Sequence, residues 1–193
     1  MTKCALVLLA DGCEETEAVT TIDLLTRAGV AVTIASINEQ DKVQCSRGVI
    51  LQVQKIFSQI KDQPFDVVIL PGGLKGAENF RDSPQVIEKL KQTHQQGHIV
   101  AAICASPAMV LQHHNLFPTA YMTGYPSTKT AFKLWKDERA YYDQHSKVIT
   151  SQGPATSIDF ALKIIATLCG TEKAKHVAAE LVLPKGIDNY SDQ

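Results

Sequence analysis

Four apolar runs of strand length set the rhythm of the first half of the chain: CALVLLA (4–10), VAVTIAS (30–36), DVVILPGG (66–73) and HIVAAIC (98–104). CALVLLA is continuous rather than alternating, which suits a strand covered on both faces, as in a parallel sheet. The segment TEAVTTIDLLTRAG (16–29) that follows it places Ala18, Ile22, Leu25 and Ala28 on one helical face and stops at Gly29. VQCSRGVILQVQ (43–54) reads as two short strands around Ser46-Arg47-Gly48, a small flap. SPQVIEKLKQTHQQG (83–97) opens with a Ser cap and a Pro at the first helical position and closes on Gly97. ASPAMVLQHHN (105–115) is the helix after the fourth run. The stretches 121–135 and 138–153 are less regular, with two strands, and 154–170 and 171–183 close the chain as helices. Strands alternating with helices of this length predict an α/β sandwich, mostly parallel, with helices on both faces.

Such sheets place ligands beyond the carboxyl ends of their strands. Three predicted strand ends carry unusual chemistry: Asp11-Gly12-Cys13-Glu14-Glu15-Thr16-Glu17, Pro71-Gly72-Gly73, and Cys104-Ala105-Ser106-Pro107. The fold predicts that they converge.

Composition narrows the reading without adding a partner. At 193 residues, 45% hydrophobic and 20% charged, the chain fits one globular domain, 1–193. A net charge of −1 with interspersed signs gives no patch for sequence-specific nucleic acid. No segment reaches the ~18 apolar residues of a membrane span, and the acidic EETE after the short first run argues against a lipoprotein signal. The five cysteines (4, 13, 45, 104 and 169) show no CxxC pair or zinc spacing, so a reducing, cytoplasmic setting and no metal are expected. PGGLKG is not a phosphate-binding Walker loop, no GxGxxG follows a strand, and no cofactor is implied.

Cys104 at a strand-to-helix turn would have its sulfur near the positive end of the following helix, which favours thiolate. Pro107 fits the first helical turn and leaves the amides of Ala105 and Ser106 for an anion. The competing reading is a small buried hydrophobe. Backbone at Gly72-Gly73 must approach something closely and could complete an oxyanion hole. One of Glu14, Glu15 and Glu17, tilted into an apolar crevice beside a thiolate, would keep its proton and serve as acid and base; spacing does not choose among them. His113 and His114, adjacent on a helix, point apart and read as solvated surface.

ALVLLADGCEETEAV, DVVILPGG followed by KGAE, IVAAICASPA, and TSQGPATSIDFALKII together resemble the ThiJ/PfpI superfamily, class I glutamine amidotransferase-like, most closely its YajL/ThiJ branch, over roughly residues 4 to 190. The resemblance implies a flavodoxin-like three-layer sandwich and a homodimer. It places the reactive cysteine on Cys104 and its protonated partner on Glu17, resolving the choice left open. It puts the oxyanion-hole amides on Gly73 and Ala105 with Gly72 as neighbour, Arg27 and Arg47 on the dimer side of the pocket, and a less reactive cysteine at Cys45. Two departures stand out. Ala105 replaces the histidine that follows the cysteine in peptidase members, and Tyr125 of TGYP occupies the place of a histidine in several deglycase-type members. The implied activity is that of a deglycase or glyoxalase acting on reactive dicarbonyls and their protein or nucleotide adducts; the alternative is a redox-sensing stress protein or holdase chaperone.

Overall fold

Successive residues of a strand face opposite sides of a sheet, and in the first strand both sides are apolar. Ala5, Val7 and Leu9 enter one buried cluster, Leu6 and Leu8 another. In a computed structural model, which describes residues 2–184, this double burial is met by helices on each face. The elements are β1 (Cys4–Leu9), α1 (Glu15–Arg27), β2 (Ala31–Ser36), β3 (Lys42–Gln44), β4 (Ile50–Gln52), β5 (Lys55–Ile56), α2 (Phe57–Ile60), β6 (Val67–Leu70), α3 (Leu74–Arg81), α4 (Pro84–Gln95), β7 (Ile99–Ile103), β8 (Ala140–Asp143), β9 (Val148–Ser151), α5 (Ser157–Cys169) and α6 (Thr171–Glu180).

The sheet runs β5-β2-β1-β6-β7-β9-β8, with every neighbouring pair parallel except β8 against β9. α1, α5 and α6 bury Leu25, Phe160, Ile164 and Val177 on one face; α2, α3 and α4 bury Phe57, Phe80 and Leu90 on the other. β3 and β4 pair antiparallel as a separate hairpin, the expected flap. α4 has the predicted cap: the Ser83 side chain accepts from Val86 N–H at 3.4 Å, with Pro84 in the first turn.

Three differences from the sequence reading matter for the site. α3 was not signalled, because Gly76 interrupts its pattern; that glycine packs so closely on Cys13 that a Cβ would lie 2.8 Å from the Cys13 backbone. The helix expected over 105–115 is present but shorter and wound wide, as a π-helix over Pro107–Gln112, with His113 N–H reaching back to Ala108 C=O at 3.2 Å. Both strands expected between 121 and 153 fall after 139, and 121–135 holds a short tight helix, Pro126–Ala131. The part of the family resemblance beyond residue 184 lies outside the described residues.

Candidate active site

The carboxyl ends of β1, β6 and β7 do meet. Cys104 directly follows β7 and holds φ at 64°, a left-handed conformation that costs a non-glycine residue about 1–3 kcal/mol. Two hydrogen bonds hold it there: Cys104 N–H donates to Ser151 C=O at 3.0 Å and Tyr125 N–H donates to Cys104 C=O at 2.8 Å. The next residue's neighbour, Ser106, is buried and its hydroxyl donates to Pro71 C=O at 2.5 Å, tying the β7 end to the β6 end. The half-buried sulfur then lies by the backbone N–H groups of Gly73 and Ala105, close enough for both to favour its charged form.

Gly73 has φ 82°, and a Cβ there would come within 2.2 Å of Gly12 C=O and 2.7 Å of Glu14 N. No other residue can present its amide to the sulfur from this position. Gly72 is confined differently: a Cβ would lie 2.5 Å from Cys104 Cβ and 2.7 Å from Glu17 Oε2.

Glu17 is fully buried one turn into α1. Its Oε2 accepts from Gly72 N–H at 2.6 Å. Its Oε1 is buried with no hydrogen-bond partner among the described residues, and the Cys104 thiol is close enough to bear on the carboxyl's titration. Burial pushes the Glu17 carboxyl up to about 7, against the pull of the Gly72 amide and the Cys104 hydrogen bond, with the Glu14 charge adding to the rise. The thiol is pushed up to about 12, first by burial, then by the Glu17 charge and its hydrogen bond, while the Gly73 and Ala105 amides draw it down. These two shifts describe one coupled pair. With Glu17 ionised, its charge holds the proton on sulfur. With the proton on Glu17 that repulsion vanishes, the O–H donates to the sulfur, and the two amides favour thiolate. The Ala105 amide opens the helical segment behind Cys104, so the helix start expected to favour thiolate acts here together with the Gly73 amide and a neutral carboxyl.

The other thiols lack this setting. Cys45, buried beside Asp11, Glu14 and Glu15, is pushed up to about 11, mainly by burial. Cys13 is sealed in the core and raised further for the same reason. All five cysteines are free.

The DJ-1/PfpI family model matches residues 3–167 of this chain. The chain belongs to the DJ-1/PfpI family. It is 42% identical over 185 residues to the zebrafish (Danio rerio) Parkinson disease protein 7 homolog, covering 94% of this chain and 97% of that one. It is 34% identical over 187 residues to the Caenorhabditis elegans glutathione-independent glyoxalase DJR-1.2, covering 95% and 98%. Among solved structures, oxidized Toxoplasma gondii DJ-1 superposes with a TM-score of 0.90 at 40% identity, covering 93% and 98%.

Within this DJ-1/PfpI chain, Cys104, Glu17, Gly73 and Ala105 come together, and Gly72 beside them takes a different role from the expected one. Gly72 is not available as an oxyanion donor, because its N–H is committed to Glu17. Arg27 lies ten residues beyond Glu17 on α1, about 15 Å at 1.5 Å per residue, where it pairs with Asp23 at 2.9 Å and Glu180 at 3.5 Å. Tyr125 is 46% exposed and meets Cys104 through its backbone N–H. Arg47 does border an open cavity of about 450 Å³ that includes Cys45, Glu14, Gly73 and Lys75.

Residues that sequence reasoning missed join the flap to the site. Ser46 Oγ donates to Glu14 at 2.7 Å and to Glu15 at 3.0 Å, and Arg47 N–H donates to Glu15 at 3.0 Å. These backbone and hydroxyl bonds hold the Glu15 carboxyl below its ordinary range, against burial. Favourable placement at a helix start explains both glutamates equally well from sequence, so only the contact distinguishes them.

Proposed function

We propose that this chain is a cofactor-independent glyoxalase of the DJ-1/PfpI family, acting on small dicarbonyls and, through them, on early glycation adducts of proteins and nucleotides. The observation that carries the reading is the placement of the Cys104 sulfur beside the fully buried Glu17 carboxyl, at the amides of Gly73 and Ala105. In the reactive form sulfur carries the negative charge and Glu17 the proton. The thiolate attacks the aldehyde carbon, the amides hold the developing oxyanion, and Glu17 protonates it to give a hemithioacetal. The carboxylate so formed takes the proton from that carbon, and a proton returned to the neighbouring carbonyl carbon leaves a 2-hydroxy thioester. Water cleaves the thioester, releasing the hydroxy acid and restoring the pair; methylglyoxal plus water gives lactate with no external oxidant or reductant.

Lactate formation from methylglyoxal, followed by NMR for wild type and Cys104→Ser, tests the proposal: turnover is expected only in wild type. Adduct repair is separable by rate, since deglycation no faster than spontaneous adduct dissociation reduces it to aldehyde removal. Peptide hydrolysis is not expected, because Ala105 supplies no imidazole beside the nucleophile.

A second reading, a redox-sensing stress protein or holdase, draws on the same half-buried sulfur and on the oxidized state of its Toxoplasma gondii relative. A sulfinate on Cys104 would find hydrogen bonds from Gly73, Ala105 and protonated Glu17. Mild peroxide should add about 32 Da at Cys104, two oxygens on the oxidation ladder; oxidation spread over Cys4, Cys45 and Cys169 would refute it. A homodimer in a reducing, cytoplasmic setting is the expected form, and light scattering at two concentrations decides the first point. Exposed Val19, Val49 and Ile50 on α1 and the flap are its natural contact.

A further inference from the structure

A second cavity, of about 320 Å³, opens at the other end of the sheet from Cys104, where β7 and β9 begin. Its walls are the end of α4 and the loops 115–119 and 145–146. Among its lining residues are Lys91, His94 and His145 and not one Asp or Glu. Asp143, two residues before the lining residue His145, is already engaged: it accepts from Tyr121 N–H at 2.9 Å and Ser146 N–H at 2.8 Å. The cavity therefore gathers hydrogen-bond donors and basic side chains without an internal counter-charge.

Two further features suit it to a ligand. The His94 ring stands at 71° to the Phe117 ring, 4.7 Å between centroids, so its orientation is fixed. Phe117 itself holds φ at 56°, which is an outlier for a bulky residue; strain of this kind concentrates at ligand clamps. Leu116 and Phe117 give the cavity an apolar floor beside its basic wall.

We propose that this cavity binds a small organic anion, a carboxylate or phosphate monoester carrying a planar apolar group. The anionic head pairs with Lys91 and His145, and the planar part lies against Leu116 and Phe117. This site is separate from Cys104 and does not depend on the glyoxalase reading.

The test is a ¹H–¹⁵N NMR titration of the full chain with phenyl phosphate, benzoate and inorganic phosphate, with sodium chloride at matched ionic strength. Saturable shifts are expected for phenyl phosphate at the amides of residues 91–95, 115–119 and 145–146, with at least about tenfold weaker binding in Lys91→Gln, or about 1.4 kcal/mol. Lys91 and His145 are exposed, so Lys91→Gln and His145→Gln should fold as wild type does; His145→Gln should weaken binding as well. Saturation by benzoate assigns carboxylate as well as phosphate recognition, and saturation by inorganic phosphate shows that the head group suffices. Shifts no larger than those with sodium chloride, or binding unchanged in Lys91→Gln, overturn the proposal.

Discussion

Replacing Glu17 by glutamine keeps the size of a fully buried side chain and removes its proton. The amide oxygen can still accept from Gly72 N–H, the 2.6 Å contact of the native carboxylate. In wild type the folded carboxyl titrates at about 7, against an ordinary value of 4.5. Between those values the unfolded chain has released the proton while the folded chain keeps it. The unfolded state therefore binds fewer protons, and stability falls as pH rises. At about 1.4 kcal/mol per pH unit the loss amounts to about 3 kcal/mol, complete once pH exceeds 7. The depressed carboxyls of Glu15, Asp66 and Asp143 act in the opposite sense and only at lower pH, where they lose their stabilisation on protonation. Urea unfolding from pH 5 to 8 therefore isolates Glu17, best in a Cys104→Ser background that uncouples the pair. Glu17→Gln should flatten the profile and exceed its parent in stability at pH 8 relative to pH 5. Parallel profiles with and without the carboxyl would refute the assignment of the raised proton to Glu17.

Gly72→Ala forces a methyl into 2.5 Å of Cys104 Cβ and 2.7 Å of Glu17 Oε2; overpacking of this kind costs about 1–3 kcal/mol, read as a lowered Tm with loss of lactate formation. Ser46→Ala removes a donor to both Glu14 and Glu15 and should cost about 1–2 kcal/mol, with faster amide exchange across β3 and β4 and little change elsewhere. Cys104→Gly should be more stable than Cys104→Ala by about 1 kcal/mol in thermal unfolding, because glycine adopts the positive φ of 64° without strain. Equal stability of these two variants would mean that the elbow stores no strain.

What the sequence made legible depended on local signals. β1, β6 and β7 announce themselves by unbroken apolar runs, and α4 by Ser83 and Pro84, because burial on two faces and helix capping are written within a few residues. Convergence of three strand ends follows from the parallel fold, so Cys104 and Gly73 could be set side by side before any distance was known. Glu17 could not be separated from Glu14 and Glu15 by spacing; the family resemblance selected it, and its contact with Gly72 beside Cys104, where Glu14 and Glu15 turn to the flap, distinguishes it in three dimensions. The rest was hidden because it is tertiary. α3 survives Gly76 only because that glycine lets Cys13 approach. Ser46 reaches Glu14 across 32 residues, and Arg27 turns to Glu180 at the far end of the chain.

The chemistry of Cys104 turns on where one proton resides. A thiolate flanked by an ionised carboxylate in a buried crevice is the form most opposed by both desolvation and repulsion. Moving a single proton from sulfur to Glu17 removes the repulsion, converts the carboxyl from competitor to donor, and leaves the Gly73 and Ala105 amides aimed at the only charge present. In the proposed mechanism the same arrangement would serve after attack, with the amides following the charge to an oxyanion and Glu17 acting as the base. In the redox reading it would serve after oxidation, with the oxygens of a sulfinate on the donors the oxyanion would use. The enzymatic and redox readings therefore draw on a single microstate of one pair, and a substitution that denies Glu17 its proton should weaken both together.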